Sequence, residues 1–115
     1  MEKKVYNLEE RTYLFARDCR FLLKKLVRNT SNNEDVRQLV KSSGSIAANY
    51  IEANEKLGDK DFIFRLKISR KEAKESILWL RLLRDMNQEF TTEFEKMIQE
   101  CDELRKILSA IINKA

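Results

Sequence analysis

The feature that most constrains the fold of this 115-residue chain is the absence of proline, together with a glycine count of only two. Sheets joined by tight turns need both residue types far more often, so the sequence predicts an all-helical protein. With 37% charged and 43% apolar residues, the chain is expected to be folded and soluble rather than disordered. Its length predicts one domain over residues 1–115.

Apolar residues recur at alternating steps of three and four along four segments, which is the spacing of one stripe on a helix. The first segment, for example, contains Phe15, Cys19, Leu22 and Leu26. The predicted helices span residues 5–28, 34–55, 60–87 and 92–113. Because the connections are short, sequential helices should be antiparallel neighbours in an up-down-up-down four-helix bundle.

Local residue choices predict where the helices begin and end. The polar run at 29–33 favours caps and turns over a helix interior. Gly58 is expected to follow the second helix with a positive φ, and Asp59 to be the N-cap of the third. Thr92 followed by Glu95 matches a capping box, which predicts the start of the fourth helix.

A run of small residues, SSGSIAANYIEANEK at 42–56, stands out in the second helix. In an antiparallel hairpin Gly44 would lie level with Ala73 of the third helix, so the two backbones could approach closely. Glu52 would lie near the level of Arg65, and a partly buried carboxylate needs such a partner. A structural cluster is favoured over a ligand site. The predicted seam and polar cluster contains Ser43, Gly44, Ala47, Asn49, Glu52, Arg65, Ser69 and Ala73.

The sequence offers few groups for catalysis. It contains no histidine, which is the commonest general base and metal ligand. Cys19 and Cys101 fall on apolar stripes, where cysteine packs as a small hydrophobe; we expect free thiols close together between the first and fourth helices. No CxxC pair, glycine-rich phosphate loop or GxSxG motif occurs. The protein is therefore predicted not to be an enzyme, with no catalytic, cofactor or metal site.

The longest apolar runs are too short to cross a bilayer. The segment at 1–11 also lacks the apolar part of a signal peptide. A cytoplasmic protein without membrane contact is therefore expected, with its cysteines reduced.

Basic residues are concentrated in two parts of the chain, although the formal net charge is only +4. Residues 1–30 carry eight basic and four acidic side chains, and residues 58–88 carry eight and five. They form either a solvated surface or, gathered by assembly, a surface for RNA or DNA phosphates. No interleaving with aromatic residues is apparent, which argues against sequence-specific binding of single strands. The candidate contacts are Arg17, Arg20, Lys24, Arg28, Arg70, Lys71, Lys74 and Arg81.

The first and third helices contain more apolar residues than one stripe per helix can bury. Left in water they would form an exposed patch of the kind that usually marks an interface, which predicts a homo-oligomer. These residues are Tyr13, Leu14, Phe21 and Leu23 on the first helix, and Ile63, Phe64, Ile68 and Trp79 on the third.

The second and third helices resemble a known family. The likeness is carried by Ser-Gly-Ser-Ile-Ala-Ala-Asn at 43–49, Glu52-Ala53, Asp61-Phe62 and KEAKESILWLRLL at 71–83. These elements are similar to the signature of four-helix bundle proteins related to those encoded in 23S rRNA intervening sequences, although many members have glycine where this chain has Ala53. The resemblance implies a left-handed bundle, commonly a homopentamer, without established enzymatic activity. Accessory proteins of diversity-generating retroelements, a distant branch, bind nucleic acid and a reverse transcriptase.

Two classes of function stay open on the sequence. The first is a non-enzymatic homo-oligomer, a pentamer by resemblance, that binds nucleic acid through a composite basic surface. The alternative is a structural protein–protein interaction module that binds no nucleic acid, for which the sequence identifies no partner.

Overall fold

Four α-helices follow one another in the computed structural model, which describes residues 7–55 and 57–115. Helix α1 spans Leu8–Leu23, α2 spans Thr30–Ala53, α3 spans Asp59–Met86 and α4 spans Thr91–Lys114. A 3₁₀ turn, Gln88–Phe90, joins α3 to α4. The described residues contain no strand, and none of their helices combines the length and apolar character needed to cross a membrane. The predicted all-α class is confirmed.

The helices pack in a closed cycle. Helix α1 contacts α2 and α4, and α3 contacts the same two helices, whereas no Cα atoms of the described parts of α1 and α3 lie within 8 Å of each other. Helices α1 and α3 therefore occupy diagonally opposite corners of a four-helix bundle with short antiparallel connections. The left-handed twist of this bundle stays a prediction.

One stripe of each helix is buried in a single core. Phe15, Leu39, Leu80 and Phe94, one from each helix, are all at most 1% exposed. Burying an apolar side chain of this size stabilises the fold by roughly 1.5–3 kcal/mol. The core therefore fixes which face of each helix remains available to a partner.

The predicted boundary between the first two helices is wrong. Helix α2 begins at Thr30 instead of residue 34 because Asn29 is its N-cap, with the Asn29 side chain accepting from the Asn32 backbone N–H at 2.8 Å. Helix α1 ends at Leu23 instead of residue 28. Its predicted start at residue 5 lies outside the described residues.

The predicted N-caps of the last two helices are also wrong. Gly58 itself is the N-cap of α3 and Asp59 is the first helical residue. The positive φ predicted for Gly58 is confirmed at 152°. Because the 3₁₀ turn leads directly into α4 at Thr91, Thr92 already lies inside the helix, and no side chain caps its N-terminus.

Two buried asparagines join the turns at one end of the bundle. Each side chain of Asn32 and Asn87 donates to the other's amide oxygen at 2.9 Å. The same amide groups also donate to the Val27 and Leu83 carbonyls, both at 2.9 Å. This paired amide connects the start of α2 with the end of α3, and brings the α1–α2 and α3–α4 turns together.

Candidate functional site

Small side chains bond across the seam between α2 and α3. The buried hydroxyls of Ser42 and Ser76 lie 2.7 Å apart, and the Ser69 hydroxyl donates to the Ile46 carbonyl at 2.8 Å. Ala73 is fully buried in α3. The predicted seam of small residues therefore exists and includes Ser69 and Ala73. The hydrogen bond between Ser42 and Ser76 also crosses it, although neither residue was in the predicted cluster.

Gly44 and Ser43 face α1 instead of α3. A Cβ atom at Gly44 would meet, among the described residues, only Nη2 of Arg20 at 3.2 Å. The Arg20 guanidinium donates to the Ser43 hydroxyl at 3.3 Å, and to the Val40 and Ala16 carbonyls at 3.1 and 2.9 Å. The prediction that Gly44 lets α2 approach α3 is therefore wrong, because its missing side chain makes room for Arg20.

Glu52 forms the predicted ion pair with Arg65, with Oε1 and Nη1 2.9 Å apart. The Glu52 side chain is nevertheless 56% exposed, so it is less buried than predicted. Asn49 does not join the pair and donates to the carbonyl and hydroxyl of Ser45, one turn earlier. Ala47 is half-buried. Because exposed ion pairs contribute only about 0–1 kcal/mol, this end of the seam supports the fold modestly.

Cys19 and Cys101 are buried free thiols, as predicted. Sγ of Cys19 lies 3.9 Å from Sδ of Met97 on α4, and the Cys101 thiol donates to the Ala73 carbonyl at 3.2 Å. Burial raises the pKa of the Cys19 thiol to about 12. Burial also raises the pKa of Cys101, with a smaller contribution from Cys19. Both thiols are protonated at neutral pH and are therefore poor nucleophiles.

The basic residues predicted on the first helix do not form one free stripe. The Arg20 guanidinium is hydrogen-bonded to Ser43 between α1 and α2, and the Arg17 guanidinium lies 2.9 Å from the Asp18 carboxylate. Lys24 is the C-cap of α1, and Arg28 lies beyond the helix. Both are exposed, and neither forms an ion pair within residues 7–55 and 57–115. The free cations thus lie at the C-terminal end of α1.

The basic residues of α3 fall on two sides of that helix. Arg70 donates to the Ser109 hydroxyl of α4 at 3.4 Å, and the spacing of Lys74 and Arg81 puts them on the same side. Both are exposed without an ion pair in the described part of the chain. Lys71 lies on the outer side. Because α3 is diagonal to α1, one chain does not bring the two groups of cations together.

Several exposed apolar side chains lie on the outer faces of α1 and α3. Tyr13 and Phe21 of α1 are 53% and 57% exposed, and Phe64 of α3 is 57% exposed. Leu78 and Leu82 lie on the same outer face of α3 and are also exposed, but the sequence analysis did not predict this. They follow Phe64 by about four and five helical turns, and this spacing could have identified them as exposed apolar residues. Of the other residues predicted as surplus, Leu23 is buried, and Leu14, Ile63, Ile68 and Trp79 are half-buried.

Aromatic and basic side chains alternate along the outer face of α1. Tyr13, Arg17 and Phe21 follow one another at four-residue steps, so each lies next to the following one on the helix surface. Lys25 comes four residues later, in the turn beyond the end of α1. The guanidinium carbon of Arg17 lies 5.5 Å from the centre of the Phe21 ring. The prediction that the basic residues are not interleaved with aromatic ones is therefore wrong for α1.

The chain is similar to one family of known proteins in both sequence and structure. Residues 4–110 match the family model described as 23S rRNA-intervening sequence protein. A solved structure from Bacteroides thetaiotaomicron, described as a protein with unknown function from the S23 ribosomal protein family, superposes with a TM-score of 0.80. It shares 30% sequence identity, and the alignment covers 90% of this chain and 96% of that one. No curated protein matches the sequence.

Proposed function

The chain belongs to the 23S rRNA-intervening sequence protein family, and from this premise we propose that it is a non-enzymatic homo-oligomeric bundle that binds nucleic acid through a composite basic surface. The observation that supports this most directly is the diagonal placement of α1 and α3. Exposed cations lie at opposite corners of one chain, so a continuous basic surface requires several copies.

The charge of a single chain is too small to attract a polyanion strongly. One copy carries a net charge of +4, whereas five copies would carry about +20 and produce a field that matters at low salt. The number five comes from the family resemblance. Lys24, Arg28, Lys74 and Arg81 are the cations best placed to contact phosphates, since they are exposed and form no ion pair among the described residues.

Self-association is supported by the outer face of α3. Phe64, Leu78 and Leu82 are between 39% and 57% exposed and lie on one side of that helix. Leu78 and Leu82 are one turn apart, whereas Phe64 lies about four turns away with Lys71 between them. Adjacent exposed apolar groups such as Leu78 and Leu82 mark interaction sites more often than scattered single residues do. We propose that this face packs against another copy of the chain.

A non-enzymatic role agrees with the chemistry of the side chains. Both thiols are buried and protonated at neutral pH, because burial raises their pKa. The chain has no histidine to act as a general base. A binding role is therefore proposed in place of a catalytic one.

The alternative is a structural interaction module that binds a protein and no nucleic acid. The same apolar face of α3 favours it, because Phe64, Leu78 and Leu82 could contact a different protein as well as another copy. On this alternative the basic residues are only a solvated surface.

A salt titration distinguishes the two functions. Binding of a fluorescent oligonucleotide, followed by anisotropy, should weaken steeply as salt rises. Replacing Lys74 and Arg81 by Gln should weaken binding at every salt concentration and reduce the salt slope by about 2. A control with Lys106 and Lys114 of α4 replaced by Gln removes the same charge elsewhere and should change the slope less. Absence of binding at low salt would support the interaction module.

A further inference from the structure

The outer face of α1 has the chemical pattern of a surface for an unpaired strand of nucleic acid. Its aromatic residues, Tyr13 and Phe21, are more than half exposed, and Arg17 lies between them on the same stripe. Tyr13 to Phe21 covers about 12 Å of helix, and Lys25 follows in the turn just beyond the end of α1. Single-strand binding proteins combine the same two elements, aromatic rings that stack with bases and cations that follow the backbone.

A groove beside Phe21 extends this surface toward α4. It has a volume of about 250 Å³, and its apolar part is formed by Phe21, Leu22 and Met97. Lys25 of the α1–α2 turn and Lys96 of α4 also line it. A flat apolar base fits against such walls, and a lysine at the rim is placed to bind the attached phosphate.

Two carboxylates limit what this groove can bind. Asp18 and Glu93 line it together with the lysines, so the groove itself is nearly neutral and a bare phosphate gains little there. Asp18 also lies 2.9 Å from Arg17. Carboxylates accept hydrogen bonds from the exocyclic amines of bases. The groove is therefore better suited to a base than to a phosphate, with phosphates on the cations around it.

A protein partner fits this face less well than a nucleic-acid strand does. Charged residues are depleted from the centres of protein–protein interfaces. On α1, a cation follows each exposed aromatic residue by one turn, with Arg17 directly beside the Phe21 ring. A nucleotide can bind both groups, since its base stacks on the ring while its phosphate binds the cation.

We propose that the outer face of α1 binds single-stranded nucleic acid, with bases stacked on Tyr13 and Phe21 and phosphates bound by Arg17 and Lys25. This inference rests on the proposed function and specifies its ligand as an unpaired strand. Ribose and deoxyribose strands share the chemistry involved, and the experiment compares the two.

The test measures the anisotropy of fluorescein-labelled oligocytidylate and oligodeoxycytidylate of about 12 nucleotides, with a duplex of equal length beside them. The two single strands carry the same base, whose exocyclic amine can donate to the carboxylates of the groove. Phe21→Ala should weaken binding of the single strands about tenfold, and Tyr13→Ala should weaken it by a similar factor. Duplex binding should change less than about twofold, because paired bases are not available for stacking. Tighter binding of oligocytidylate than of oligodeoxycytidylate would identify RNA as the preferred source of the strand.

Leu57→Ala is the control. Leu57 is 80% exposed in the α2–α3 turn, on neither the outer face of α1 nor that of α3. It should leave single-strand affinity within about twofold of the wild type. Circular dichroism and light scattering check that each variant is folded and assembled like the wild type.

The possible results separate this inference from the proposed function. If the wild type binds nucleic acid but Phe21→Ala and Leu57→Ala behave alike, the stacking surface is wrong and the proposed function stands. The stacking surface is also wrong if the wild type binds only the duplex. It is wrong as well if Phe21→Ala changes the oligomer mass, because Phe21 would then act in assembly. If the wild type binds none of the three ligands at low salt, the proposed function fails as well.

Discussion

Gly44 shows how the role of a single residue depends on a side chain from another helix. A glycine inside a helix lowers its stability by about 1 kcal/mol relative to alanine, so the sequence could predict that Gly44 has a compensating role. The sequence could not predict that Arg20 fills the space beside Gly44, because the direction of the Arg20 side chain depends on how α1 and α2 face each other. Arg20 donates to the Val40 carbonyl beside Gly44 at 3.1 Å, and a Cβ at residue 44 would lie 3.2 Å from its guanidinium.

Gly44→Leu should therefore destabilise the protein by displacing Arg20. We expect the free energy of unfolding, measured with urea, to fall by about 1–3 kcal/mol as the hydrogen bonds of the guanidinium are lost. In an Arg20→Ala background the same substitution should cost less than about 0.5 kcal/mol. Ala48→Leu, at an exposed site of α2, is the control. An equal cost in both backgrounds would show that Gly44 acts through another contact.

The buried Cys19 should make stability depend on alkaline pH. Burial raises its pKa from 9.0 to about 12 in the folded state. Between these values the unfolded chain loses the thiol proton and the folded chain keeps it, so this stabilisation is complete below pH 9 and is lost as pH rises toward 12. The slope is about 1.4 kcal/mol per pH unit for one thiol.

Comparison with Cys19→Ala isolates this thiol from the lysines and tyrosines that titrate in the same range. Urea unfolding of both proteins should show the wild type losing stability faster above pH 9. Parallel curves would mean that the Cys19 thiol is not protected in the folded state.

At the scale of elements, the four helices could be predicted from the spacing of apolar residues, whereas their ends could not. Five polar residues at 29–33 can all serve as caps or turn residues, so local chemistry does not choose among them. The choice comes from tertiary structure, because Asn32 is buried against Asn87 at the end of α3. Once Asn32 is placed there, Asn29 is left to cap α2.

The pair formed by Asn32 and Asn87 should be strongly coupled. Asn32→Ala or Asn87→Ala alone leaves a buried amide without its partner, and should cost about 1–3 kcal/mol of unfolding free energy. The double variant should cost clearly less than the two single changes added together. Asn33→Ala, next in sequence but exposed, should change stability by at most about 0.5 kcal/mol. Additive costs would contradict the coupling.

At the scale of the whole molecule, the bundle leaves apolar groups on a face that it does not cover. Light scattering at micromolar concentration should return a multiple of the 13.7 kDa chain mass. Phe64→Glu and Leu78→Glu should each shift the protein toward that single mass, because a charge would be buried in the contact. Phe21→Glu is the control on α1 and should leave assembly unchanged. A wild-type mass of one chain would overturn both the oligomer and the composite surface.

The amide pair at one end also makes the two ends of the bundle unequal in their local stability. The α1–α2 and α3–α4 turns are joined through buried groups, whereas Leu57, Gly58 and Asp59 at the opposite end are exposed, and α3 has no side-chain cap there. Local unfolding starts where few buried contacts resist it. Backbone amides near Gly58 should exchange with solvent first, and limited proteolysis should cut there before it cuts either of the joined turns.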